Sequence, residues 1–137
     1  MGMTLEIATG MAQAIRAAAA ASPDREICGL LLGEGARVTA LLPASNVAAD
    51  PATTFEIDPR ALLTAYRAAR AGGPAVLGHY HSHPRGPVRP SRADAAASHG
   101  DAALWIIANG DTIGCWRAVP EGPVAGRFVP VALRFVG

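Results

Sequence analysis

Seven residues, Gly78-His79-Tyr80-His81-Ser82-His83-Pro84, restrict what this chain can be more than any other stretch. Ala75-Val76-Leu77 leads into them after a Gly72-Gly73-Pro74 break and reads as a short buried strand. Successive side chains on a strand point to opposite faces, so His81 and His83 share a face. Two imidazoles at the polar end of such a strand can hold one divalent ion. A catalytic zinc site takes three protein ligands and keeps one position open for water. Asp94 lies too far along to belong to the same strand. It stands in Pro90-Ser91-Arg92-Ala93-Asp94, which reads as the first turn of a helix that a loop can fold back. Ser91-x-x-Asp94 also matches a capping box, and by itself the pair reads as a cap. A lone His at a strand end is commonly a satisfied polar residue, whereas His-Ser-His-Pro is a more specific metal signal.

Ten residues separate His83 from Asp94, and Ser91 stands three before that Asp. Glu26-Ile27-Cys28-Gly29-Leu30-Leu31-Leu32-Gly33 lies upstream, and Asn46 and Phe55-Glu56-Ile57-Asp58 come between. In this order and spacing the chain resembles the JAMM (JAB1/MPN/Mov34) metalloproteases over most of its length. The resemblance implies that His81, His83 and Asp94 bind one zinc ion. It implies that Glu26 is the general base for the zinc-bound water and that Ser91 steadies the oxyanion. It also implies a compact bacterial branch, whose members cut after the C-terminal Gly-Gly tail of ubiquitin-like sulfur-carrier proteins. His79 departs from the pattern, because the family usually carries an apolar or aromatic residue there. A fourth ligand would close the open position, so His79 reads as structural.

At 137 residues, half of them hydrophobic and 17% charged, the chain suits a single domain over 1–137 with a real core. A net charge of +1 gives no electrostatic case for nucleic acid or an anionic membrane. The few aromatic residues are not interleaved with a basic run, which argues against a stacking platform for single strands. Cys28 and Cys115 are far apart and form no CxxC, so both read as reduced thiols in a cytoplasmic setting. The Ala17–Ala21 run lacks the basic cluster of a signal peptide and falls short of membrane-spanning length.

Taken in order, Thr4 to Ile7 reads as extended, and Thr9 as the cap of a helix that Pro23 prevents from continuing. Glu26 opens a buried strand, Ile27 to Gly33, in which Gly29 marks close approach of a ligand or another backbone. A turn at Glu34-Gly35 leads to a second strand, Val38 to Leu42. Asn46 by itself suggests a turn, and Phe55 to Ile57 a short strand. Asp58-Pro59 starts a helix that ends at Gly72-Gly73. The Ser91 helix runs to about His99. Ala103 to Ala108 and Thr112 to Arg117 flank the hairpin signal Asn109-Gly110. Phe128 to Val136 is extended, with Pro130 suggesting an edge strand or a bulge. These elements give an α/β fold, a mixed β-sheet sandwiched by helices, consistent with the cytidine-deaminase-like (JAB1/MPN) architecture that the resemblance implies.

Rival readings fit the residues unequally. A deaminase would need His-x-Glu and Pro-Cys-x-x-Cys, and neither occurs. A non-catalytic MPN interaction module would lack the ligands that are present here. A DNA-repair-associated relative usually reads His-Asn-His-Pro. A same-fold amide hydrolase acting on another small conjugate or a peptidoglycan-type peptide stays open, as no residue names the substrate. Arg85 and Arg89 border the expected site and read first as solvated loop residues.

Overall fold

The computed structural model describes residues 2–137. Its elements run β1 (Thr4–Ala8), α1 (Thr9–Ala21), β2 (Cys28–Glu34), β3 (Arg37–Ala44), α2 (Pro59–Arg70), β4 (Ala75–Ser82), α3 (Arg92–Ala97), β5 (Leu104–Ala108), β6 (Ile113–Ala118) and β7 (Phe128–Val136). The sheet is mixed. β4 pairs in parallel with β5 and antiparallel with β2, and the other neighbours are joined in the order β1-β3-β2-β4-β5-β6-β7. β1 pairs in parallel with β7 from Thr4↔Ala132 to Ala8↔Val136, and meets β3 at Glu6↔Arg37, which closes the sheet on itself.

The two faces of β2 and β4 are covered differently. Leu31 and Tyr80 turn toward α1, in a core with Leu5, Ile7, Ile15, Leu104 and Ile106. Leu30 turns the other way, into a cluster with Cys28, Ile57 and Ala65 of α2. The expected layering of helices on both faces is therefore present. No helix among the described residues is long and apolar enough to cross a membrane.

Several expectations are corrected in detail. Thr9 is the first residue inside α1, not its cap; Ala8 holds the cap position and makes no side-chain bond. Phe55 to Ile57 forms only an isolated bridge, Asn46↔Ile57, because α2 starts directly afterwards. The Ser91 helix stops at Ala97. Glu26 precedes β2 by two positions instead of opening it. Gly29 admits a side chain and not a ligand: a Cβ there would overlap the Tyr80 ring. Pro130 pairs with Trp116 and lies ahead of the β1 contact, which begins at Ala132.

The bulge that aims β4 is specific. Leu31 pairs with Gly78 and Leu32 with Val76, so Leu77 is the additional residue. It lets Leu77 and Tyr80 both pack with the α1-side core, while Val76 joins the α2-side cluster. Gly78 lies against β5, where a Cβ would run into the Leu104 carbonyl. Gly78→Ala should therefore destabilise the protein by ~1–3 kcal/mol, the usual range for overpacking. Denaturant melts would read this as a lower midpoint at unchanged slope, and an unchanged midpoint would contradict the close approach.

Candidate functional site

The end of β4 brings two histidines into one buried place. His81 is fully buried and His83 nearly so, with their Nε2 atoms 3.1 Å apart. The 84–91 loop then reverses and delivers the first turn of α3. Asp94 Oδ1 lies 3.1 Å from His81 Nε2, and Asp94 Oδ2 lies 3.0 Å from His83 Nε2. The three side chains each offer a ligand atom within 4.8 Å of the others.

Asp94 is a cap as well. Its Oδ2 accepts from the Ser91 amide at 2.9 Å, and its own amide donates to Ser91 Oγ at 3.1 Å, completing a capping box. The cap and ligand readings of the sequence are thus compatible in one conformation, because a carboxylate has four lone-pair sites. Burial works against ionisation of Asp94, yet hydrogen bonds from His81 and His83 hold its carboxyl below the usual range. Burial also disfavours the charged form of His83, but Asp94 and the Pro87 carbonyl raise its pKa. In fully buried His81 desolvation prevails and lowers it.

The rings are fixed in different ways. His83 Nδ1 lies 2.9 Å from the Pro87 carbonyl, an outer contact of the kind that orients metal ligands. His81 Nδ1 has no partner among the described residues. Its ring is stacked on Phe55 instead, with centroids 4.1 Å apart and planes 19° from parallel.

Glu26, Ser91 and His83 line one cleft of about 360 Å³, together with Asp24, Thr53 and Arg85. Arg89 is exposed and outside this lining. Glu26 is 5% exposed, its Oε1 has no partner among the described residues, and burial pushes its pKa up to about 7. His79 stays apart from the cluster. It sits edge-on to Trp105 at 4.4 Å and tilted to Phe55 at 5.3 Å, and burial pushes its pKa down to about 3, so it is neutral at physiological pH.

Two residues whose roles the sequence did not announce complete the surroundings. Asn46 donates to the Glu26 carbonyl at 2.9 Å and the Thr54 carbonyl at 3.0 Å, and accepts from the Ala48 and Glu56 amides. It thereby uses every hydrogen-bonding site of its amide and ties Glu26 to the segment that carries Phe55. Ser82 turns away from its histidine neighbours and accepts from the Ile27 amide at 2.8 Å. Its place between the two histidines was the only signal, and that gives no hint of Ile27.

As a donor set, two imidazoles and a carboxylate aimed at one point suit a divalent cation, and the unpartnered Glu26 Oε1 beside them suits a water. The arrangement can hold a metal, accept a proton beside it and offer a hydroxyl across the cleft.

The chain is similar to several known proteins. Residues 8–119 match the model of prokaryotic homologs of the JAB domain. A desampylase of Haloferax volcanii is 38% identical over 98 residues, 70% of this chain and 70% of that protein. A Thermus thermophilus protein described as a probable TtuB-protein conjugate cleaving protease is 37% identical over 93 residues, spanning 68% of this chain but less than two thirds, 62%, of that one. A Desulfitobacterium hafniense protein of solved structure superposes with a TM-score of 0.74 at 27% identity, covering 98% of this chain and 94% of the other. The site and these likenesses together establish that the chain belongs to the prokaryotic homologs of the JAB domain.

Proposed function

We propose that residues 1–137 act as a single zinc-dependent peptidase or isopeptidase domain, in the cytoplasm, hydrolysing the amide bond after the C-terminal Gly-Gly tail of a ubiquitin-like sulfur-carrier protein. The observation that carries this is the convergence of His81, His83 and Asp94 beside a cleft that also holds Glu26 and Ser91. Two nitrogens each about 2.0–2.1 Å from a tetrahedral zinc stand about 3.4 Å apart, near the 3.1 Å separation of the histidine nitrogens. When bound, zinc supplies Lewis acidity that brings the pKa of water to about 7.

The protein's own groups do the rest. Glu26 takes a proton from the attacking water and later passes one to the leaving amine. Its raised pKa suits it to both steps. Ser91 Oγ accepts from the helix at Asp94 while its hydrogen stays free to donate to the oxygen that gains charge in the cleft. His83 is steadied by Pro87 and His81 by Phe55, so the ligands need little reorganisation.

The names of the relatives support the substrate class: the Haloferax protein is a desampylase, and the Thermus protein is described as a probable protease cleaving a protein conjugate. Leu63 and Tyr66 are exposed on α2, and Tyr66 borders a groove of about 780 Å³. Cys28 and Cys115, both buried and unpaired, support a reducing compartment. The test is a carrier protein fused through its Gly-Gly tail to a second protein. Mass spectrometry after incubation should find cleavage directly after Gly-Gly. Equal cutting of a fusion with bulky residues in place of the glycines would make the chain a general peptidase.

A further inference from the structure

Glu26 has no strand of its own to hold it. β2 begins at Cys28, which pairs with His81, so Glu26 lies beyond the ladder. Its amide donates to the Pro51 carbonyl at 2.7 Å, and its carbonyl accepts from Asn46. Both ties lead to the 46–56 segment, not to the strand that carries the histidines. The direct tie to that strand is one residue on, at Ile27. The Ser82 amide donates to the Ile27 carbonyl at 3.0 Å, as opposed residues of an antiparallel pair do. The return bond is different: the Ile27 amide donates to Ser82 Oγ at 2.8 Å instead of to a main-chain carbonyl. Ser82 is fully buried, so its hydroxyl has no water to fall back on.

We propose that Ser82 is a positioning residue that sets the distance between the Glu26 carboxylate and the His81–His83–Asp94 cluster. It stands between the two histidines in sequence and faces away from them, so its backbone moves with theirs while its hydroxyl grips the residue after Glu26. A hydroxyl suits this place because it is short. An alanine would take away the acceptor of the Ile27 amide, and a longer amide side chain would push the Glu26 segment outward. The proposal rests on the reading of Glu26 as the proton acceptor.

The experiment is a double-mutant cycle on zinc-loaded protein, with the carrier fused through Gly-Gly to a second protein as substrate. Ser82→Ala should keep its zinc and its KM, lose ~10-fold or more in kcat, and exchange the Ile27 amide faster than wild type. Ser82→Thr, which keeps the oxygen, should recover most of the kcat. In a Glu26→Gln background, adding Ser82→Ala should cost less than about 2-fold, because the group it positions is already gone. Equal losses in both backgrounds, loss of zinc from Ser82→Ala, or an unchanged kcat would each overturn the proposal. Normal turnover by Glu26→Gln alone would instead remove the base, and that result is read separately from the Ser82 variants.

Discussion

Glu26→Gln should give a folded, zinc-loaded protein that binds its substrate and turns it over ~10²–10⁴-fold more slowly. Three ligands and a water already satisfy a tetrahedral site, so Glu26 is not needed to hold the metal. Glutamine keeps the size and reach of the side chain but cannot take a proton at neutral pH. The same variant carries a stability signature. Burial pushes the pKa of Glu26 up to about 7 in the fold, against an ordinary value of 4.5. Below 4.5 the carboxyl is protonated in both the folded and unfolded chain and contributes nothing. Between 4.5 and 7 the unfolded chain ionises first, so the fold loses stability as pH rises. Metal-free Glu26→Gln should therefore melt higher than metal-free wild type at pH 8, and the gap should close toward pH 4.5. Near-normal turnover would take Glu26 out of the mechanism, and lost zinc would make it a ligand.

His81→Ala should abolish metal binding and lower turnover by ~10³-fold or more, since it removes both a ligand and the Lewis acidity worth several kcal/mol. Elemental analysis should find about one zinc per wild-type chain, removed by chelation, and none on the variant. A ligand that binds only the folded state raises the melting temperature, so chelator should lower that of wild type and leave that of His81→Ala unchanged. His79→Ala is the control and should keep both zinc and activity, because His79 packs among Phe55 and Trp105 outside the cluster. Zinc retained by His81→Ala, or lost from His79→Ala, would mean the ligands are assigned wrongly.

The nearness of His81 to His83 was legible in sequence because its chemistry is concentrated. Two histidines two apart on a strand share a face, whereas Asp94 by itself read as a cap and became a third ligand only through the family resemblance. Glu26 was legible only through its resemblance to a motif, as an acid beside a strand carries no signal of its own. Ser82 and Asn46 were not legible as positioning groups. Their partners, Ile27 and Glu26, lie 55 and 20 residues away, and a hydrogen bond across the fold leaves no periodicity in the chain. Phe55 read as a strand residue, whereas it serves as a platform for His81. Closure of the sheet was invisible for a similar reason. It depends on β1 finding β7 at the opposite end of the sequence, and each strand's pattern is satisfied by burial without naming its neighbour.

That closure is uneven. β1 and β7 share five paired residues, but β1 and β3 meet at the single pair Glu6↔Arg37, held by the Arg37–Glu6 ion pair at 3.3 Å and the Glu6 amide on the Ala36 carbonyl. In mechanical terms the ring is an open ribbon fastened by a latch. From that latch two strands, β3 and β2, lead to β4 on one side and four, β1, β7, β6 and β5, on the other, each neighbour joined by a ladder of at least four pairs. The ribbon can thus breathe at β1 and β3 while the arc bearing His81 and His83 stays zipped, so its thermal slack is spent where no chemistry is done.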